Sequence, residues 1–497
     1  MRETSLSELV GGAADRAALL EPVSAAAVTY ADLAESIDAL ARQLLGAGVE
    51  PGERIALWGE NGPELIIAFL AVARAGAAAM PINPALTVTE LSAMLAELSP
   101  RALIIDADET RRDIASVCAE HEVAVMSLGR WPDVCILESA GAVATMPEPD
   151  AAAVCLLLQT SGTTSRPKTV PLRQRNLTAS ARNIAAGYRL TSGDTTYCVM
   201  PLFHIHGLVG STLSTLASGG TVVIPRRVRP SVFATDLQAH GVTWVSAVPT
   251  LLDRLISTAA RSSAGRPEAL RFARTSSSAL SAELAARAEE VLDAPVLEAY
   301  GMTEASHQMA SNPLPPAPRR VGSVGVAVGT ELAVVDDDWN SLPPEVRGEV
   351  VVKGPGVVDG YLNNAAANET SFRSGWFRTG DVGVQSPDGY LSLVGRIKEL
   401  INRGGEKIAP REIDEALLSH PLVREAVAYA APDRKYGEVV HAVVVTERPI
   451  SQGDLISHCA DRLAEYKLPV RITFLNEIPK GPTGKVQRTT LGDTLAR

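Results

Sequence analysis

Apolar residues recur at steps of four, three and four through Leu33, Ile37, Leu40 and Leu44, the spacing that gathers them on one face of a helix. Thr29 with Asp32 forms a capping-box signature ahead of them, and Gly46 or Gly48 supplies the stop. The pattern then alternates, with a strand over 54–58, a helix over 63–75 and another strand over 102–105. Such alternation predicts parallel sheets layered with helices. Residues 154–158 form a short continuous apolar run that breaks into a polar loop, the pattern of a buried strand delivering a site. Segments 262–267 and 312–320 are rich in Pro, Gly and Ser and read as loops, while 321–397 is strand-rich with Gly and Pro turns. The last hundred residues predict a helix (411–419), strands (423–430 and 439–446), a helix (452–465), a strand (470–475) and an irregular tail. The expected class is α/β: a large N-terminal domain of αβ-layered subdomains with a small β unit, then a small α+β domain.

Charge sharpens the division. From Glu399 onward there are 14 acidic and 14 basic residues, so the preceding segment, with 32 bases and 43 acids, carries the whole net charge of −11. This places a boundary at 397/398, giving domains 1–397 and 398–497. The acidic balance argues against nucleic acid or an anionic membrane as the main partner. Five scattered cysteines without a C-x-x-C pair, a polar start, and no apolar run approaching the ~18 residues of a membrane span point to a reduced, cytoplasmic protein.

Lysine is scarce: eight of the 46 basic residues, only two of them before position 398. Lys168 and Lys485 stand out because each ends a Gly/Thr-containing loop, and lysine differs from arginine in offering a compact, mobile ammonium. Thr160, Ser161, Gly162, Thr163, Thr164 and Ser165 lead through Arg166 and Pro167 to Lys168. Hydroxyls and backbone amides around a glycine form an anion nest, and the lysine adds a point charge, so the loop reads as a polyphosphate cradle. It is not a Walker A loop, since G-x-x-x-x-G-K-[ST] is absent here and at 481–485.

TSGTTSRPK (160–168) resembles the signature loop of the adenylate-forming enzymes, the family of acyl-CoA synthetases, carrier-loading adenylation domains and luciferases. PLFHIHG (201–207), EAYGMTE (298–304), WFRTGD (376–381), GRIKELINRGGEKI (395–408) and PKGPTGKVQR (479–488) follow in that family's order. The resemblance implies ATP and Mg²⁺ dependence, coenzyme A as acceptor, and a mobile C-terminal domain that closes over the larger one. It implies that Lys485 reaches the carboxylate and α-phosphate, and that Glu304 with Thr160 holds magnesium, an ion suited to one carboxylate plus phosphate oxygens. Tyr300 would stack on adenine, with Glu298, Ala299, Gly301 and Thr303 lining the nucleotide. Asp381 would accept from the ribose diol and Arg396 would support ribose and phosphate. Lys398 falls at the family's hinge. Rotation there would present Arg403, Gly404, Gly405 and Glu406 to the thiol channel.

The identity of the acid is less directly encoded. His204 and His206 are two apart and share a face if the segment is extended; His307 follows Glu304 by three. By the family pattern His204 sits where acid and thiol meet, with His206, Ser277 and His307 as further acid-pocket residues. Ser165 in the loop, FHIHG, and EAYGMTEASHQMASNPLPP further resemble oxalyl-CoA synthetases. Histidine and the Ser276–Ser278 hydroxyls could serve a second carboxylate without the wide apolar tunnel a fatty acid requires. Two positions depart from the family pattern. Gln159 stands where a His is expected, and Thr169 follows Lys168 in place of Gly, which would strain the loop if that position needed positive φ. The favoured expectation is an acid–CoA ligase for a short diacid such as oxalate. Alternatives are a ligase for medium-chain or aromatic acids, an enzyme loading a partner carrier protein, or a nucleotide-binding homologue without catalysis. A homodimer is a possible assembly.

Overall fold

The computed structural model describes residues 5–24, 26–107, 109, 112–135, 145–148, 150–160, 167–262, 265–480, 486 and 488–495. Ser161, Gly162, Thr163, Thr164 and Ser165 of the phosphate loop, and Lys485, lie outside them.

Two sheets build the large N-terminal part. The first runs Ala124–Leu128, Ala102–Asp106, Arg54–Trp58, Ala78–Ile82, Val154–Thr160 and Lys168–Arg173. Its first five strands are parallel and the last turns back antiparallel. The second has nine strands, with a parallel centre that includes Val296–Met302, Phe272–Thr275, Trp244–Ala247 and Thr195–Tyr197, and antiparallel edges. The helix Pro63–Arg74 buries every residue from Pro63 to Ala73, as a helix that is apolar all round must. The helix Tyr30–Gly46 starts in the expected Thr29–Asp32 capping box and buries Leu33, Ile37, Leu40 and Leu44.

A five-stranded antiparallel sheet, including Gly348–Lys353, Trp376–Gln385 and Leu391–Arg396, forms the expected β unit. The C-terminal part has its own five-stranded sheet and its own apolar core around Ile413, Leu417, Val440, Val444 and Leu455. Two expectations there need correction. The helix beginning at Gln452 ends at Ala460, and a separate 3-10 turn covers Glu465–Lys467. The tail is not wholly irregular, because Arg488–Leu495 is helical. The GRIKELINRGGEKI string also folds into a hairpin, Ile401–Arg403 with Glu406–Ile408, whose turn suits glycine: Gly404 and Gly405 have φ of 59° and 100°.

One buried ion pair organises this C-terminal part. Arg488 chelates Asp414 with both terminal nitrogens, donates to the Ala428 carbonyl at 2.7 Å and stands 3.4 Å from Glu399. It therefore ties the chain just past Lys485 to the turn Ile397–Glu399, which contains Lys398. Removing one partner of a buried pair strands the other charge, at about 3–5 kcal/mol. Arg488→Met should destabilise the C-terminal part by that amount, and adding Asp414→Leu should recover most of it; chemical denaturation of both variants measures the difference.

Candidate active site

The nucleotide side is assembled from three strand ends. Thr160 closes the strand Val154–Thr160 and stands opposite Lys168, so the intervening loop leaves and returns at one place. Thr160 Oγ1 donates to the Lys168 carbonyl at 3.3 Å. Thr169 is extended, buried, and paired with Gln159. The position therefore needs no positive φ, and the strain expected of a residue replacing Gly here does not arise. Gln159 faces Glu97 at 3.2 Å.

Glu304 lies in the 3-10 turn Thr303–Ala305, immediately after the strand carrying Glu298, Ala299, Tyr300 and Gly301. Its carboxylate is buried and accepts from the Tyr361 hydroxyl at 2.8 Å. Burial raises its pKa, against the pull of Tyr361, Arg396 and Lys168. The Lys168 ammonium lies 4.4 Å from the Tyr361 ring centre. Burial lowers its pKa first and repulsion from Lys398 adds to this, while Glu304 opposes both. Lys398, expected only as a hinge, thus also contributes positive potential near the phosphate loop. A buried carboxylate beside a hydroxyl-lined strand end and flanked by cations fits a magnesium-bound polyphosphate.

Asp381 and Arg396 pair across neighbouring strands at 2.9 Å, and the Tyr300 hydroxyl donates to the other Asp381 oxygen. Each carboxylate oxygen keeps a further lone pair for a ribose hydroxyl. Tyr300 itself is 6% exposed and packs in the main core. Its ring is therefore largely committed to packing, and its hydroxyl serves to orient Asp381. Gly301 is a matter of space, since a Cβ there would lie 2.1 Å from the His307 carbonyl oxygen. That approach folds the Glu304 turn back so that His307 begins the next strand.

The acid side corrects one expectation. PLFHIHG is not extended: Pro201–His204 is a turn, and His206–Leu213 is a wide helical stretch. His204 and His206 therefore do not share a strand face; instead His204 Nδ1 accepts from the His206 amide at 3.2 Å. His206 is fully buried, with Nε2 at 2.6 Å from Ser246 Oγ and Nδ1 at 3.5 Å from Ser277 Oγ. The His307 ring centre lies 4.8 Å from that of His206. The structure thus brings His204, His206, Ser277 and His307 together. Ser277, Ser306 and His307 all have positive φ, at 74°, 55° and 107°, a concentration of backbone strain of the kind that gathers at functional sites.

Arg403, Gly404, Gly405 and Glu406 form the hairpin turn, where the Arg403 guanidinium lies 4.2 Å from the Tyr436 ring centre and the Gly404 amide donates to the Tyr436 carbonyl. Sequence reasoning missed Tyr361, Ser246, Arg274 and Gln308. Arg274 did leave a signal: a lone charge inside the buried strand Phe272–Thr275.

Two family models match. "AMP-binding enzyme" covers residues 7–362, and "AMP-binding enzyme C-terminal domain" covers 412–485. The chain belongs to the AMP-binding enzyme family, and with it to the acid–thiol ligases that work on ATP. It is 41% identical over 477 residues to an oxalate–CoA ligase of Arabidopsis thaliana, covering 93% of this chain and 92% of that one. It is 37% identical over 484 residues to a sulfoacetate–CoA ligase of Cupriavidus necator, covering 96% and 94%. Among solved structures, ATP-bound MatB from Rhodopseudomonas palustris superposes with a TM-score of 0.90 at 30% identity, over 99% of each chain.

Glu298 offers a test of this geometry. It accepts from the Gly322 amide at 3.0 Å, and burial pushes its carboxyl up from 4.5 to about 7. A carboxyl whose folded value is raised stabilises the fold below pH 4.5 and loses that contribution as pH rises through about 7. Glu298→Gln should therefore gain stability over the wild type above pH 7, by up to about 3 kcal/mol. Urea denaturation at pH 5 and pH 8 should show a gap several-fold larger at the higher pH.

Proposed function

We propose that this protein is an ATP- and Mg²⁺-dependent ligase that joins a short diacid such as oxalate to coenzyme A through an acyl-adenylate. The observation that carries the reading is the pairing of two pockets on one turn. Glu304 ends the nucleotide side, and His307, three residues on, opens a compact acid side lined by His206 and Ser277. Relatives whose names specify oxalate and sulfoacetate, two small acids with a second anionic group, support the choice.

In the first half-reaction a carboxylate oxygen of the acid attacks the α-phosphorus of ATP and pyrophosphate leaves. Both partners are anions, so cations aimed at the developing charge lower the barrier. Lys168 serves the phosphates, and Lys485 reaches the carboxylate and α-phosphate. Thr160 and Glu304 would hold magnesium, which would supply charge neutralisation on the phosphate oxygens. The Glu298–Gly301 backbone lines adenine, while Asp381, held by Tyr300 and Arg396, accepts from the ribose. In the second half-reaction the C-terminal domain, 398–497, turns about Lys398, withdraws Lys485 and brings the Arg403–Glu406 turn to the thiol channel. His204 stands where acid and thiol meet, and the thiol sulfur displaces AMP from the acyl carbon. The carrier-protein and non-catalytic alternatives lose ground to relatives named as CoA ligases. Medium-chain and aromatic acids fit poorly beside two buried histidines and Ser277.

Pyrophosphate release across an acid panel, with and without coenzyme A, tests the substrate: oxalate should lead, and activity confined to octanoate-like acids would overturn the diacid reading. Lys485→Ala should abolish adenylation while leaving conversion of supplied acyl-AMP to thioester largely intact. Lys398→Pro should spare adenylation and impair thioester formation. Separate assays of the two half-reactions distinguish these outcomes.

A further inference from the structure

Arg274 is the largest charge buried behind the acid pocket. It is fully buried, and its three hydrogen bonds go to neutral acceptors: Nε to Ser246 Oγ at 2.8 Å, Nη1 to Gln308 Oε1 at 3.0 Å and Nη2 to the Gly210 carbonyl at 3.0 Å. Among the described residues no carboxylate lies within ion-pair distance of it, and the only ionisable group bearing on its charge is the Tyr188 phenol. A buried cation without a counter-ion is costly to folding, so its retention calls for an explanation.

Gln308 makes the omission pointed. Its Oε1 accepts from both Arg274 and Tyr188, while its buried Nε2 has no partner among the described residues. A glutamate of nearly the same shape would satisfy Arg274 and remove the orphan donor. The amide instead leaves the guanidinium charge uncancelled.

That charge reaches the acid pocket by two routes. The first is spatial: a Cβ at Gly210 would lie 2.8 Å from Arg274 Nη2 and 2.9 Å from His307 Nε2, so guanidinium and imidazole stand one small side chain apart. The second is a relay. Ser246 Oγ accepts from Arg274 Nε at 2.8 Å and stands 2.6 Å from His206 Nε2, so one hydroxyl bridges guanidinium and imidazole. The other ring nitrogen of His206, Nδ1, faces Ser277 Oγ at 3.5 Å.

We propose that Arg274 is a specificity-determining positioning residue, whose uncancelled charge, with the Ser246–His206 relay, selects acids bearing a second anionic group. The inference rests on the diacid reading above and deepens it. The substrate supplies the counter-charge that the fold withholds, and His206 and Ser277 receive it. An acid of the same shape lacking the second charge would leave Arg274 as it stands in the empty protein and would gain nothing from it.

Oxalate and oxamate, its monoamide, provide the comparison. With full-length enzyme, wild type should favour oxalate over oxamate in kcat/KM. Arg274→Met and Gln308→Glu should each reduce that preference about 10–100-fold, the range expected for losing a charge-assisted contact. The loss should appear chiefly in the KM for oxalate, with the KM for ATP unchanged. Arg274→Lys should restore part of the preference. Gln308→Glu keeps the test decisive if Arg274→Met fails to fold, because it supplies an internal counter-ion while keeping side-chain shape. An unchanged oxalate preference in these variants overturns the role of Arg274 alone. An equal rise in the KM for ATP and for oxalate makes the residue merely structural and also overturns it. A wild-type enzyme that activates monoacids and ignores oxalate overturns the diacid reading, and this proposal with it.

Discussion

Joining a carboxylate to a triphosphate requires two anions to approach within bonding distance, and that constraint shapes the distribution of charge in this protein. Cations must be concentrated at one place, yet a cation already neutralised by its own carboxylate offers little to a ligand. The site meets this requirement by unequal pairing. Arg396 is spent on Asp381, which it orients at 2.9 Å. Lys168 leans on the π face of Tyr361 with Glu304 only as a more distant charge, and Arg274 has neutral acceptors alone. The overall net charge of −11 makes the local excess of positive charge more telling.

Much of this was legible along the chain. Helix Tyr30–Gly46, the alternating strands and the strand entering the phosphate loop followed from periodicity and capping, because those elements bury one face or all of themselves and so carry the hydrophobic pattern openly. The motif residues came from resemblance; the structure gathers His204, His206, Ser277 and His307 in one cluster and Tyr300, Asp381 and Arg396 in another, while Arg403–Glu406 forms a hairpin turn against Tyr436. What stayed hidden was tertiary. The helical winding at His206 is not announced by FHIHG, whose spacing serves an extended segment equally well. The hairpin at Ile401–Arg403 is too short for periodicity to register. Tyr361, Ser246 and Gln308 matter only through partners 28 to 120 residues away. No local pattern can reveal them.

The C-terminal part shows how a small domain can be stiff and yet suited to turning as a body. Its sheet and core are its own, while Arg488 binds Asp414 inside it and reaches Glu399 at its entrance. Arg488, three residues past Lys485, and the turn containing Lys398 are thereby tied to the same unit. In the proposed rotation at that turn, the glycine hairpin would move with the C-terminal core as one body. Rigid-body exchange of this kind lets one pocket serve two reactions in sequence.

Specificity then follows from a principle of omission. A histidine pair and a serine hydroxyl can donate hydrogen bonds to many small polar groups, and by themselves would discriminate weakly between a carboxylate and an amide. A fixed charge discriminates strongly, but only if nothing in the protein cancels it beforehand. The strand Phe272–Thr275 carries Arg274 into the core, and Gln308 faces it with a neutral oxygen. Ser277 and His307, both at positive φ, stand beside His206. On the proposed reading, the folding free energy given up at Arg274 would be recovered when an acid arrives with a second negative group, and withheld when it does not. Discrimination is thus built from an internal deficit of negative charge rather than from added contacts.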